Sequence, residues 1–97
     1  MTRTIQQLFD LKGKTALVTG GSRGLGLQMA HALGEAGARI MLSSRKADEL
    51  EKAVADLEAA GIDARWTAAD CAVEADIHRL ADETLERMGA IDILVNN

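Results

Sequence analysis

Short apolar runs alternate with longer amphipathic segments along almost the whole chain, and a glycine follows each amphipathic segment; few folds accept that order. The apolar runs are Thr15 to Val18, Arg39 to Ser43, Ala64 to Ala68 and Ile91 to Val95. The amphipathic segments span about Gly24 to Ala36, Ala47 to Ala60 and Glu74 to Met88, and Gly37, Gly61 and Gly89 close them. Glycine most readily takes the left-handed backbone that ends a helix, so the three segments are expected to be helices. The first carries small residues at Gly26 and Ala30 followed by Leu33, a pattern that lets a helix lie close to a sheet. The second places Leu50, Val54 and Leu57 at i, i+4 and i+7, and the third aligns Ile77, Leu80, Ala81, Thr84, Leu85 and Met88 in one stripe. The apolar runs read as strands, and the unbroken Ile93-Leu94-Val95 suits a parallel strand buried on both faces. The expected architecture is therefore an α/β unit of the form βαβαβαβ, with parallel strands and right-handed crossovers. Met1 to Lys12 form a lead-in, with one helical turn expected at Thr4 to Phe9.

Composition narrows the classes of function. At 97 residues, 47% apolar and 27% charged, the chain has the balance of one globular domain and is too short for two. Eleven Lys and Arg against 15 Asp and Glu give a net charge of −4, so no general attraction to nucleic acid or to an anionic membrane is expected. A bound phosphate must then be held locally. The single cysteine, Cys71, excludes an internal disulfide and a multi-cysteine metal site. No apolar run approaches the ~18 residues of a membrane span, and Met1-Thr2-Arg3-Thr4 is not followed by a signal-type apolar block, so a cytoplasmic location is expected. There is no tyrosine, so no phenol in these residues can serve as an acid or base.

The first strand runs straight into Thr19-Gly20-Gly21-Ser22-Arg23-Gly24-Leu25-Gly26, and the first helix begins inside that run. Glycines there permit a tight turn, remove side chains so that main chain can approach a pyrophosphate, and allow close contact between helix and sheet. The helix start adds free amides and the positive end of its dipole. The spacing is Gly-x-x-x-Gly-x-Gly, which lacks the Gly-Lys-Ser/Thr ending of an NTPase loop. A glycine-rich turn can also be no more than a turn, and here the strand before it and the helix after it favour the phosphate cradle. At the end of the second strand stands Ser43-Ser44-Arg45-Lys46, where an acid would accept the ribose 2′-hydroxyl of NAD and an arginine can hold the 2′-phosphate of NADP. Arg45 and Lys46 could equally be solvated charges. Asp70, after the third strand, could accept a hydrogen bond from an adenine amino group and could equally be a turn or helix-cap residue. Cys71 reads as a small, partly buried residue and not as a nucleophile, since no sequence feature supplies an activating base. His31 and His78 lack a second ligand at i+4, so no metal site is expected. Trp66 reads as core, and the charged stretch from Asp48 to Glu58 as a solvated helix face.

These residues resemble the short-chain dehydrogenases/reductases. Phe9-Asp10-Leu11-Lys12-Gly13-Lys14-Thr15-Ala16-Leu17-Val18-Thr19-Gly20-Gly21-Ser22-Arg23-Gly24-Leu25-Gly26 is similar to the family's opening, and Ile91-Asp92-Ile93-Leu94-Val95-Asn96-Asn97 to its fourth strand. The resemblance implies a Rossmann-type doubly wound parallel sheet, of which residues 1–97 are the N-terminal dinucleotide-binding part, with strand order 3-2-1-4. It implies NADP(H) as cofactor, bound by Gly20, Ser22, Arg23, Gly24, Leu25, Gly26, Ser44, Arg45, Asp70, Cys71 and Asn97. Asn96 and Asn97 take a mainly structural role with backbone near the adenosine ribose, and Cys71 stands where most members have an aliphatic residue. The implied reaction is hydride transfer between the nicotinamide and a small-molecule carbonyl or secondary alcohol. The family's catalytic Ser and Tyr-x-x-x-Lys lie farther along and have no counterpart here, so no catalytic residue is assigned and a longer chain of roughly 250 residues is expected. Members resembling this opening include 3-oxoacyl-thioester reductases and gluconate-type sugar-acid dehydrogenases, usually dimers or tetramers. A non-catalytic dinucleotide sensor on the same half-fold is the alternative from another class.

Overall fold

The computed structural model describes residues 10–97; the helical turn expected at Thr4 to Phe9 lies outside them. Four strands, β1 (Thr15–Thr19), β2 (Arg39–Ser44), β3 (Ala64–Ala68) and β4 (Ile93–Asn96), alternate with three helices, α1 (Gly24–Glu35), α2 (Ala47–Ala59) and α3 (Glu74–Met88). All strands are parallel, in the order β3-β2-β1-β4. This is the strand order and alternation of a Rossmann-type fold.

The period-2 geometry of the strands divides the apolar residues between two faces. Ala16, Val18, Ile40 and Leu42 pack with Ala30 of α1 and with Leu50, Ala53, Val54 and Leu57 of α2. Leu17 and Met41, one residue out of phase, pack on the opposite face with Leu80 and Met88 of α3. β1 lies between two partners and beneath helices, and all five of its residues are buried.

Glycine ends the helices as the spacing predicts. After α1, Gly37 has φ +109°, its amide reaches the Gly34 carbonyl, and the Ala38 amide reaches that of Leu33. After α2, Gly61 and Ile62 repeat the pattern onto Glu58 and Leu57. Both are paired-bond helix ends that satisfy carbonyls otherwise left free. Gly89, at φ +85°, caps α3 directly.

The structure corrects four details. Of the α3 stripe only Leu80, Thr84 and Met88 are buried, whereas Ile77 and Leu85 are nearly half exposed. Ile77 sits in the first turns, where every residue from Cys71 to Arg79 except Asp76 is exposed, and Leu85 points off the flank of the i, i+4, i+8 row. Among the described residues β4 is the outermost strand beside β1: Ile93 and Val95 pack on the first core, but Leu94 is 62% exposed, so these residues cover the strand on one face. Trp66 is half-buried on β3, packed against the core. Cys71 is exposed, because the loop after β3 leaves the sheet before α3 begins. No helix of the described residues is long and apolar enough to cross a membrane.

At the amino end of the sheet, the Asp92 carboxylate accepts the Thr15 amide at 2.8 Å while the Asp92 amide donates to the Thr15 carbonyl at 2.9 Å. Arg39 adds a bond to the Thr15 hydroxyl at 2.8 Å and another to the Met88 carbonyl. This clasp fixes where β4 starts against β1. Thr15 is fully buried, so Asp92→Ala strands its amide and is expected to lower stability by about 1–3 kcal/mol in urea unfolding, with Asp92→Asn, which keeps an acceptor, losing less.

Candidate dinucleotide site

All four strands point their carboxyl ends to one edge of the sheet, where an open α/β sheet binds ligands. The turn after β1 is tied down there from two sides. The amides of Gly20 and Gly21 both donate to the Ser43 carbonyl of β2, at 2.7 and 3.3 Å. Thr19 donates its hydroxyl toward the Val95 carbonyl and the Asn96 side chain, and accepts the Asn97 amide at 3.3 Å. The Asn97 side-chain amide donates to the Gly20 carbonyl, also at 3.3 Å. Asn96 and Asn97 thus join the ends of β1 and β4.

The glycines divide between a packed and an open side. A Cβ on Gly26 would collide with the Gly20 carbonyl oxygen, and one on Gly21 would lie 2.7 Å from Leu42. Both side chains are excluded by protein. At Gly24, φ is +61° and nothing lies within 4 Å of a built Cβ. Glycine is needed there for its backbone, and the space in front is open. The amides of Gly24, Leu25 and Gly26 donate to no group among the described residues; the first inward bond of α1 is from Leu27 to Arg23. α1 also has no acid in its first turn, whereas α2 has Asp48 and Glu49 and α3 has Glu74 and Asp76. Free amides, an uncompensated dipole end and open space fit a pyrophosphate.

Two adjoining clefts flank the turn. One is lined by Thr19, Gly20, Ser44, Arg45, Asp70, Cys71, Asn96 and Asn97, among others. The other is lined by Gly20, Ser22, Arg23, Ser44, Arg45, Lys46 and Glu49. Gly20, Ser44 and Arg45 belong to both, so candidates at all four strand ends form one continuous surface. Gly24, Leu25 and Gly26 line neither cleft; Gly26 is buried beneath the turn, and Leu25 stands 63% exposed at the start of α1. Asp70 does serve as a turn residue, its Oδ1 accepting the Ala72 amide at 2.9 Å, while also lining the cleft. Ser44 likewise accepts the Lys46 amide.

One residue of this surface escaped the sequence. Glu49 belongs to a stretch read as a solvated face, and its neighbours Asp48, Glu51 and Lys52 are exposed. Glu49 instead turns into the second cleft, accepting from the Ser22 hydroxyl at 3.3 Å and pairing with Arg23 and Lys46. A contact across 27 positions leaves no periodic signal. His78 only pairs with Glu74 on the same helix, and the described residues contain no cluster of three potential metal ligands.

The family model for short chain dehydrogenases matches residues 14–97. The chain belongs to the short-chain dehydrogenases. It is 45% identical over 92 residues to the gluconate 5-dehydrogenase of Gluconobacter oxydans, covering 93% of this chain and 35% of that protein. It is likewise 45% identical over 89 residues to the rhamnolipid-biosynthesis 3-oxoacyl-[acyl-carrier-protein] reductase of Pseudomonas aeruginosa, covering 92% and 34%. Among solved structures, the RhlG/NADP active-site complex of Pseudomonas aeruginosa superimposes with a TM-score of 0.85 at 44% identity, covering 92% of this chain and 36% of that one. The chain spans about a third of the length of the curated relatives it matches. Short-chain dehydrogenases are oxidoreductases that bind nicotinamide cofactors, and the cradle, helix start and clefts fit such a dinucleotide.

Gly26 provides the direct test of the cradle. Gly26→Ala overpacks the contact with the Gly20 carbonyl, which typically costs about 1–3 kcal/mol of stability. It is expected to weaken NADPH and NADH alike by about tenfold or more, read by fluorescence titration. Unchanged binding would mean that the turn does not carry the pyrophosphate.

Proposed function

We propose that these residues are the cofactor-binding part of a longer NADP(H)-dependent oxidoreductase that interconverts a small-molecule carbonyl and its secondary alcohol. The observation that carries the cofactor choice is the end of β2. Ser44 stands where an NAD-type acid would repel a 2′-phosphate, and the exposed Arg45 beside it lines both clefts. Arg23 reaches the same cleft from the glycine-rich turn. A guanidinium is planar and always charged, and it matches phosphate oxygens with two parallel donors. The similar structure that holds NADP supports the choice.

In this reading the amides at the start of α1 hold the pyrophosphate, and Arg45 and Arg23 hold the 2′-phosphate. Asp70 and the backbone at Cys71 meet the adenine, and Asn97 keeps the turn in place beneath the ribose. The bound cofactor supplies the hydride. Orientation is the whole contribution of these residues, since they contain no tyrosine to move the accompanying proton. Relatives named for a 3-oxoacyl substrate and for gluconate are equally similar, which supports a carbonyl or alcohol substrate and favours neither kind.

Removing a hydrogen bond to a charged group costs about 1.5–3 kcal/mol. In the full-length protein Arg45→Ala is therefore expected to weaken NADPH roughly ten- to a hundredfold, with NADH nearly unchanged. Ser44→Asp should move the two cofactors in opposite directions, giving the 2′-hydroxyl an acceptor and repelling the phosphate. Equal losses of NADPH and NADH in Arg45→Ala would contradict the assignment.

A further inference from the structure

We propose that Glu49 is a built-in counter-ion of the cleft at the end of β2, and that it sets how strongly the protein prefers NADP(H) over NAD(H) by competing with the 2′-phosphate for its donors. The proposal rests on the NADP(H) reading given above. Its basis is the position of one carboxylate among three cations. Arg23, Arg45 and Lys46 line the cleft together with Ser22, and Glu49 is the only acid among its lining residues.

Glu49 meets most of the donors there. Its Oε1 accepts the Ser22 hydroxyl at 3.3 Å and lies 3.8 Å from Arg23 Nε, while Oε2 lies 3.4 Å from Lys46 Nζ. Its side chain is 27% exposed, against 79% for Arg23 and 59% for Lys46, so the acid is the inner member of the cluster and the cations gather over it. Arg45 forms no ion pair among the described residues, which leaves it as the cation not shared with Glu49.

A 2′-phosphate entering this cleft carries nearly two negative charges. It must draw Arg23, Lys46 and Ser22 away from Glu49 or share them with it, and in both cases the carboxylate opposes the phosphate. A 2′-hydroxyl carries no charge and leaves the cluster as it is. Glu49 therefore acts against NADP(H) and is nearly indifferent to NAD(H). It also keeps three clustered cations from attracting unrelated phosphates.

The test is titration of NADPH and NADH into the full-length protein, wild type and Glu49→Gln. Neutralising the acid is expected to tighten NADPH about two- to tenfold, the range for freeing two exposed ion pairs, and to leave NADH within about twofold. Glu49→Ala removes the same charge without the amide, must move the ratio in the same direction, and keeps the test open if Glu49→Gln fails to fold. NADPH binding that is unchanged or weaker, or a parallel change in both cofactors, would overturn the proposal and leave Glu49 as a support for Arg23 or for α2. Failure of the underlying reading looks different: wild-type protein would bind NADH at least as tightly as NADPH, and Arg45→Ala would affect both equally.

Discussion

At the Gly20 carbonyl, three parts of the chain meet with no room for a side chain between them. Gly26 of α1 packs against that oxygen so closely that a methyl group would overlap it, and the Asn97 side chain donates to it from the end of β4. The turn itself hangs from the Ser43 carbonyl by two amides. This contact sets the distance of α1 from the sheet and the direction of its amino end. It also brings the ends of β1, β2 and β4 into one surface. The cradle, the two clefts and the open space before Gly24 all follow from it.

The opposite end of the sheet supplies the register that the contact needs. Asp92 and Thr15 exchange two hydrogen bonds at the beginning of β4 and β1, and parallel pairing then carries that alignment to Thr19 opposite Asn96. A shift of one residue would swap the two faces of β4 and remove Asn97 from the Gly20 carbonyl. Structure and site are thus coupled along the length of a four-residue strand. The short strand suffices because β1, its partner, is fully buried and held on its other side by β2.

Most of the fold was legible because it is written in local rules. Short apolar runs, small residues on the first helix and the glycines that close each amphipathic segment mark the elements and their order, and the observed strand order matches the one expected from the family resemblance. What failed depended on what lies beside an element in space. Ile77 and Leu94 are apolar where helical periodicity and an unbroken apolar run lead one to expect burial, but one lies in the first turns of α3 and the other faces away from the core on the last strand of the described residues. Cys71 fails for the same reason, since a loop leaving a sheet edge has no cover. At the site, the glycines, Ser44 and Arg45 were legible as a motif with a mechanism. Glu49 was not, because its role exists only once α2 and the glycine-rich turn are side by side.

The central claim is that the carboxyl edge of this sheet is a dinucleotide site running from the glycine-rich turn to the Asp70 loop. Cys71 lies at the far end of that surface, is exposed, and is the only cysteine in these residues. The rate of its alkylation by iodoacetamide, followed on the Cys71 peptide by mass spectrometry, reports directly whether a dinucleotide covers that end. Saturating NADPH is expected to slow the reaction at least about tenfold, equivalent to about 1.4 kcal/mol of protection. An unchanged alkylation rate at saturating NADPH would contradict the account, because the adenine would then lie elsewhere.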